Sequence, residues 1–208
     1  FTSPHLLEAY RDLTIRVGAA LDSAFVQSRV ELDYFAYRKA VMGILDELAA
    51  NPQAAIFMAD LAGGDRPFLR HCGNVCVLSV LMGLKLDFYL MRERTRLSGI
   101  AAKDVGALGV GAMFHDIGMT RLGAPVLERW NAEHDETDEQ WRAHVRIGFD
   151  LVKDHVEPSS AAVVLNHHQR YDGAGFPARE VFGGGTRGVA GSDIHIYARI
   201  VAVADAFE

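Results

Sequence analysis

The segment HHQRYDGAGFP, from His167 to Pro177, places two adjacent histidines shortly before a glycine-rich turn. Residue types that bind metal ions recur at intervals on both sides of it. In chain order these residues are His71, His115, Asp116, His144, His167, His168 and Asp205. Ordinary core packing does not explain such a series, because buried polar and charged groups are costly without partners. The series therefore predicts a multinuclear metal site, and metal chemistry is the expected function.

Two of these positions are adjacent pairs, and this spacing bears on the number of ions. Neighbouring residues on a helix point about 100° apart, so they do not face one point as ligands at i and i+4 do. We expect two ions, with the two oxygens of Asp116 as the bridge and with His167 and His168 serving different ions. Imidazole with carboxylate suits iron, manganese or another borderline metal better than calcium or magnesium. Two such ions about 3.5–4 Å apart stabilise both the attacking and the leaving oxygen in phosphoryl chemistry.

Single residues of these types have simpler interpretations. A lone His144 on a helix is more often a hydrogen-bonded surface residue than a ligand. The same interpretation is preferred for four further histidines: His5, His134, His155 and His195. Asp205 follows the apolar run 200–204, where a carboxylate needs a partner, and a metal ion supplies one. Cys72, beside His71, is more often a small buried hydrophobe than a soft ligand.

The composition bounds the class of protein. With 208 residues the chain can form one domain with a helical appendage, and its formal net charge of −6 argues against non-specific nucleic-acid binding. A phosphorylated substrate is compatible with this charge, since bound metal ions would be the largest local charges. The two cysteines, Cys72 and Cys76, are predicted to be free thiols in a reducing cytoplasm. No run approaches the roughly 18 apolar residues of a membrane helix, no signal peptide is visible, and a chain that opens at Phe1 is expected to be a fragment.

Helical spacing dominates the chain, so the expected fold is an all-α bundle. Apolar residues near the N-terminus recur in steps of four and three, at Leu6, Tyr10, Leu13, Val17, Ala20 and Ala24. This stripe favours a helix that covers the core over a docking or dimerising helix. Further helices are expected up to residue 50, over 54–61, 71–94 and 159–168, from an Asp104 N-cap towards His115, and over 197–208. A mobile glycine-rich loop over residues 182–193 is expected before the last helix.

The ordered motifs resemble the HD-GYP family of the HD superfamily. They are the run HDIG from His115 to Gly118, His144, the histidine pair with the following DGAGFP, and the run RIVAVAD that ends at Asp205. The resemblance covers residues 41–208 and implies an all-α, metal-dependent phosphodiesterase that hydrolyses the bacterial second messenger cyclic di-GMP. It implies that all members of the series are metal ligands, with His115 and Asp116 anchoring a metal-bridging hydroxide. The implied products are pGpG and, on further hydrolysis, GMP.

Four positions depart from the family pattern. Met119 stands where the family has lysine, which removes a cation that would contact substrate phosphate. Phe176 lacks the phenol hydroxyl of the family's tyrosine, and Gln169 is neutral where the family has glutamate. Pro67 occupies the position of a glutamate that holds a third metal ion, so two metal ions are expected.

The resemblance also implies substrate contacts and partners beyond this chain. The contacts fall on Arg121, Arg170, Asp172, Gly173, Gly175, Phe176, Pro177 and Arg199. The three arginines among them are the candidates to supply the cation missing at Met119. Residues 1–40 would form a helical linker from an upstream regulatory or sensory domain, and pairing of two chains through this helix is the alternative role for its stripe.

The departures leave two alternatives to cyclic di-GMP hydrolysis. One is a signalling module that binds metal and nucleotide without turnover, and it is motivated by Met119, Gln169 and Phe176. Retention of the whole ligand series argues against it. The other is an HD-superfamily phosphohydrolase that acts on a different nucleotide. The paired histidines and the GFP segment, residues 175–177, weigh against that second alternative.

Overall fold

The computed structural model describes residues 4–26, 31–50, 66–180 and 183–208, and it confirms the all-α class. The α-helices of this part of the chain are α1 (Pro4–Val26), α2 (Tyr34–Ala50), α3 (Pro67–Lys85), α4 (Asp87–Glu93), α5 (Gly99–Lys103), α6 (Gly106–Met113), α7 (Ala124–Glu133), α8 (Glu139–Arg142), α9 (His144–Val152), α10 (Pro158–Asn166) and α11 (Ile196–Phe207). Short 3-10 helices cover Ile117–Arg121 and Gly191–Asp193. The helix predicted over residues 54–61 lies outside the described residues.

Helix α6 forms the centre of the bundle, and all of its residues are buried. It needs no polar face because α2, α3 and α10 pack around it. Glycine allows this close packing: a Cβ at Gly109 would lie 2.4 Å from Cγ1 of Val41 on α2. His115 and Asp116 follow directly after this helix, so the packing of α6 places both of them in the middle of the fold.

The apolar stripe of α1 is buried within the chain. Its described members are Tyr10, Leu13, Val17, Ala20 and Ala24, and each lies in the core. Helix α1 packs on α2, on α3 and on the 3-10 helix Ile117–Arg121, which confirms that it covers the core. The side chain of Leu6 lies outside the described residues. Val41, the predicted domain boundary, lies within α2 between buried Tyr37 and Ile44, and a division of the chain there stays a prediction.

The single helix predicted over residues 71–94 is two helices, α3 and α4. The chain bends at Leu86, where the backbone leaves helical geometry with φ −99° and ψ 21°. The bend lets α4 pack on α5, which buries Leu90 and places Asp87 2.8 Å from the ammonium group of Lys103. Apolar spacing continues through the bend, and for this reason the pattern alone did not reveal it.

Among the described helices, α3 alone is long and apolar enough to cross a membrane by length and composition. It has 19 residues, so the expectation that no run approaches this length is corrected. A core helix of a folded protein passes the same test, and α3 packs on α6 and α11. The result is weak evidence for a membrane span.

Helix starts follow the local rules of capping. Helix α3 begins with Pro67, whose missing amide proton would have no partner at that position. The prediction of Asp104 as an N-cap is wrong by one residue, because Val105 occupies the cap position of α6. The carboxylate of Asp104 instead accepts a hydrogen bond from the Gly106 amide at 2.9 Å in the turn before the helix. Asp138 caps α8 by accepting from the amides of Gln140 and Trp141. The acidic segment before α8 thus supplies the cap of this helix.

The glycine-rich loop contains some regular structure. Strand β1 (Arg179–Glu180) pairs antiparallel with β2 (Thr186–Arg187), with Arg179 opposite Arg187. Between the strands, Gly183, Gly184 and Gly185 have φ angles of 97°, 91° and 94°, a conformation that side chains with a Cβ rarely adopt. The loop is therefore a hairpin, while its mobility stays a prediction.

Gly118 lies where the 3-10 helix Ile117–Arg121 crosses α9 at close range. A Cβ at this position would lie 1.9 Å from the carbonyl oxygen of His144 and 2.7 Å from the backbone nitrogen of Gly148. Only glycine permits this approach without a backbone shift. The crossing brings the turn that carries Asp116 against the first residue of α9, His144.

We expect Gly118→Ala to lower the free energy of unfolding by about 3 kcal/mol, because a rotamer change cannot relieve a clash with backbone atoms. The matched control is Gly43→Ala in α2, where the added Cβ meets the Cβ of Ala9 at an ordinary 3.7 Å. This control should leave stability unchanged or raise it slightly. Urea denaturation followed by circular dichroism measures both variants. Equal loss of stability in the two would contradict the role given to the crossing.

Candidate metal centre

The predicted ligand series comes together in two neighbouring groups of side chains. The first group is Asp116, His144, His167 and His168, and the second is His71, His115 and Asp205. Within each group, one potential ligand atom per residue lies within 4.8 Å of the others. The contributing segments are α3, α11, the start of α9 and the turns after α6 and α10. Both groups could hold a metal ion.

Asp116 lies between the two groups. Its Oδ1 is 3.2 Å from Nε2 of His144 and 3.4 Å from Nε2 of His167. Its Oδ2 is 3.7 Å from Nε2 of His115 and 3.9 Å from Nε2 of His71. One carboxylate oxygen thus faces each group, which is the arrangement that a bridging ligand requires.

Backbone carbonyls orient the rings of the three buried histidines. Nδ1 of His115 donates to Ala112 O at 2.7 Å, and Nδ1 of His144 donates to Trp141 O at 2.8 Å. Nδ1 of His167 lies 3.1 Å from the carbonyl oxygen of Val164. A proton on Nδ1 leaves the lone pair of Nε2 free, and this tautomer is the one that binds a metal through Nε2.

The distances between ring nitrogens show whether a cation fits between the side chains. Nε2 of His71 is 3.2 Å from Nε2 of His115, and Nε2 of His144 is 3.5 Å from Nε2 of His167. Oδ1 of Asp116 is buried and accepts no regular hydrogen bond within the described part of the chain. Acceptor atoms so arranged repel one another unless a positive charge lies between them. The donor set therefore fits metal ions.

The ionisation states of the two carboxylates and of His167 and His168 suit ligation. Burial tends to raise the pKa of Asp116 and Asp205, but the adjacent imidazoles hold both values well below the usual range. Burial lowers the pKa of His167, and burial together with the nearby His167 and His144 lowers that of His168 to about 2. Ionised carboxylates and neutral imidazoles are the forms that metals bind. Burial tends to lower the pKa of His71 and His115, but the neighbouring carboxylates raise it, so a metal ion would displace a proton from these two rings.

Glu208 is a member of the centre that sequence reasoning missed. Its Oε2 lies 2.6 Å from Nδ1 of His71, and its Oε1 accepts from the side-chain amide of Asn74 at 2.9 Å. Burial tends to lower the pKa of His71, but hydrogen bonds with Asp205 and Glu208 raise it to about 9. A carboxylate on the distal nitrogen fixes the orientation of a ligand histidine. The available signal was its spacing, since Glu208 follows Asp205 by one helical turn.

The paired histidines do not divide between the groups as expected. His167 and His168 both belong to the group with Asp116, and their ring centroids are 4.2 Å apart. The expectation assumed helical geometry for the pair, but α10 ends at Asn166 and the chain turns over the two histidines. The turn lets adjacent side chains point to one place. His168 also stacks on Phe176, with centroids 4.7 Å apart and planes at 18°.

The remaining histidines and the cysteines lie outside both groups. Nδ1 of His195 accepts from the Tyr197 amide at 3.2 Å, and burial with Arg94 and Arg199 lowers the pKa of His195 to about 4. Cys72 and Cys76 are buried free thiols, as predicted. His134 is exposed, His155 is half-buried, and the side chain of His5 lies outside the described residues. These placements agree with the simpler interpretations.

The predicted substrate residues differ in their surroundings. Asp172 is exposed and accepts hydrogen bonds from Arg170 and from the Ala174 amide, both at 2.9 Å, so it forms a turn. Arg199 is engaged by Glu93 and by the hydroxyl of Tyr89, which makes it a weaker candidate for the missing cation. In Arg121 the Nη2 atom is buried and has no hydrogen-bond partner in the described ranges.

Two arginines that the sequence did not single out lie beside the GFP segment, residues 175–177. Cζ of Arg142 is 4.9 Å from the ring centroid of Phe176, and Nη2 of Arg146 donates to Ala178 O at 2.5 Å. The two arginines are four residues apart and flank His144. This spacing around a predicted ligand was the signal that could have revealed them.

Comparisons with known proteins give a family and relatives. Residues 68–208 match the family described as HD domain. The chain is similar to the cyclic di-GMP phosphodiesterase response regulator RpfG of Xanthomonas campestris pv. campestris, with 31% identity over 113 residues, 53% of this chain and 28% of that protein. Cyclic di-GMP phosphodiesterase PA4108 of Pseudomonas aeruginosa is 25% identical over 211 residues, 98% of this chain and 41% of that protein. A cyclic di-GMP phosphodiesterase of Thermotoga maritima is 32% identical over 122 residues, 54% of this chain and 31% of that protein. The chain thus spans less than half the length of these relatives.

The shared position of Asp116 predicts a pattern of metal loss. Asp116→Asn should lower the affinity of both groups, because one oxygen faces each of them. His168→Ala should remove one ion and His71→Ala the other, since each histidine belongs to a single group. Elemental analysis of metal per chain after dialysis measures the effects, with the exposed His134→Ala as control. Equal losses from all three ligand variants would contradict two separate groups joined by Asp116.

Proposed function

The chain belongs to the HD domain family, and we propose that it is a metal-dependent cyclic di-GMP phosphodiesterase. The observation that carries this proposal is the position of Asp116, whose two oxygens face two different histidine groups. Relatives whose names specify action on cyclic di-GMP support the choice of substrate.

Two divalent transition-metal ions, iron or manganese, are the proposed cofactors. HD domains bind divalent metals, and the described residues include two groups that could each hold one ion. Histidines outnumber carboxylates in both groups, which favours these metals over Ca²⁺ or Mg²⁺. Pro67 in place of the family's glutamate supports two ions instead of three. When bound, the ions would acidify a shared water molecule and stabilise charge on the phosphodiester.

The chain's own residues prepare the centre for this chemistry. Asp116 stays ionised among the histidines and can hold both ions, and His115 is held by its carbonyl partner in the required tautomer. Buried Trp141 packs against the rings of His144 and His168, at centroid distances of 4.8 and 5.1 Å, and shields them from water. Preorganised ligands need no rearrangement during the reaction. Hydrolysis of one phosphodiester gives pGpG, and hydrolysis of the second gives GMP.

Arginine side chains take the place of the lysine that is absent at Met119. We favour Arg121 over Arg199. Each has one buried guanidinium nitrogen without a hydrogen-bond partner in the described ranges, but the guanidinium of Arg199 is already engaged by Glu93 and Tyr89. Arg142, beside Phe176, is the second choice. The turn formed by Asp172, Gly173 and Gly175 would then line the substrate, together with Pro177.

The alternative function is a signalling module that binds metal and nucleotide without turnover. It is favoured by the neutral or apolar residues Met119, Gln169 and Phe176. We further propose that residues 1–40 link the domain to a regulatory partner in the cytoplasm. Pairing of two chains through the apolar stripe of α1 is not proposed, because the described residues of this stripe are buried within the chain. The nucleotide-binding module and the hydrolase differ in a single measurable property, the release of product.

The first prediction is that the metal-loaded chain converts cyclic di-GMP to pGpG, as measured by chromatography of the nucleotides. Asp116→Asn and His115→Ala should each abolish product. The first changes the carboxylate that faces both groups, the second removes a ligand of the group with His71 and Asp205, and the proposed chemistry needs both ions. Exposed His134→Ala should retain full activity. Hydrolysis of another cyclic dinucleotide with cyclic di-GMP left intact would overturn the substrate. Binding of cyclic di-GMP without product would support the module.

The second prediction concerns the phosphate cation. A hydrogen bond from a charged donor contributes about 1.5–3 kcal/mol, so Arg121→Gln should lower kcat/KM by about tenfold to a hundredfold. Metal content should stay unchanged, because Arg121 belongs to neither group. Arg11→Gln on the exposed surface of α1 is the matched control. Unaltered kinetics in Arg121→Gln would exclude a contact between Arg121 and the substrate and would make Arg142 the favoured phosphate contact.

A further inference from the structure

Gln169 follows the paired histidines and is buried, with 5% of its surface exposed. Its side-chain Nε2 donates to the carbonyl oxygen of Pro177 at 2.6 Å. Its Oε1 is buried without a hydrogen-bond partner in the described ranges. The one regular interaction of this amide is therefore with the GFP segment, and the amide acts there as a donor.

The GFP segment lies directly against the backbone of residues 168–170. The Phe176 amide donates to His168 O at 3.2 Å. A Cβ at Gly175 would lie 2.3 Å from the Arg170 nitrogen and 2.4 Å from His168 O, so only glycine fits at this contact. The ring of Phe176 stacks on the His168 imidazole. Together with Gln169, these contacts connect the segment to the histidine pair at both ends.

We propose that Gln169 is a positioning residue for the metal ligand His168. Its amide holds the Pro177 carbonyl, the fixed segment keeps the Phe176 ring on the imidazole, and the ring directs His168 towards Asp116. The residue must be a hydrogen-bond donor, because a carbonyl oxygen can only accept. An ionised glutamate at this position has no proton to donate and would place two acceptors together.

This role connects two of the departures from the family pattern, Gln169 and Phe176, through their contacts with one metal ligand. Phe176 contributes its ring face to His168 and has no need of a hydroxyl group in this contact. Gln169 contributes the donor that holds the segment carrying that ring. Outer partners of metal ligands typically change metal affinity by about 10–100-fold when they are removed. The amide and the ring therefore act as one support for one ligand.

Two variants test the proposal, Gln169→Glu and Gln169→Leu. The first replaces the donor by an acceptor, and the second removes both functions while keeping a similar size. The matched control is Gln140→Glu, an identical change at an exposed residue whose Oε1 accepts from Arg129 at 2.7 Å. The first measurement is hydrogen–deuterium exchange of peptides covering residues 170–180 in the metal-free chain. The second is Mn²⁺ affinity by competition with a chelator, and the third is the unfolding temperature.

We expect the backbone amides of the GFP segment to exchange about tenfold faster in both Gln169 variants than in the wild type. Mn²⁺ affinity should fall about tenfold at one of two sites, with the other site, formed around His71, unchanged. Gln140→Glu should behave as the wild type in all measurements. Wild-type exchange and Mn²⁺ affinity in Gln169→Leu would overturn the proposal. Equal loss at both metal sites together with a large fall in unfolding temperature would show a general structural role and would also overturn it.

The inference rests on the proposed function only in taking His168 as a metal ligand. None of its measurements uses cyclic di-GMP, so failure of turnover on that nucleotide leaves them unaffected. Absence of Mn²⁺ binding by the wild type would instead remove the metal centre and this inference with it.

Discussion

The structure depends on one buried interaction, the carboxylate of Asp116 between two groups of imidazoles. A buried negative charge is costly unless cations or donors surround it, and here ring nitrogens approach both of its oxygens. The need to place this side chain centrally explains the unusual composition of α6, which has three glycines among its eight residues and no polar face. It also explains the close crossing at Gly118, where the backbone itself reaches α9.

Helix ends provide the second constraint. The last carbonyls of a helix have no amide partner within it. His115, His144 and His167 each lie at or just beyond such an end, and each ring uses a carbonyl near the end of the preceding helix or turn. A short helix thus satisfies its own terminal acceptor and orients a ligand in the same contact. This double use of helix ends accounts for the many short helices around the centre.

The identity of the ligand residues was accessible from the sequence, and their grouping was not. Spacing indicated Asp116 as a bridge, because a carboxylate between two sets of histidines has two oxygens to offer. The division of His167 from His168 was wrong because it assumed a helix where the chain turns. Glu208 and Arg142 were missed because their only signal was helical spacing from a predicted ligand, and this spacing is too common to single out a charged residue before tertiary contacts are known. Arg199 attracted notice through its motif, but its guanidinium is engaged by Glu93.

The sequence by itself determined the all-α class, the ligand residue types and their order along the chain. These features follow from local periodicity and from the chemistry of individual side chains, which do not require knowledge of distant contacts. Tertiary structure alone decided which ligands share a group, which arginine is already engaged by a carboxylate and how Gln169 is used. These features depend on helix crossings and on irregular turns that apolar periodicity does not describe, where a difference of about 1 Å separates a contact from none. The hydrogen bond between Gln169 and Pro177 could therefore be recognised only from the structure, although both residues lie in the segment 167–177 that first indicated the site.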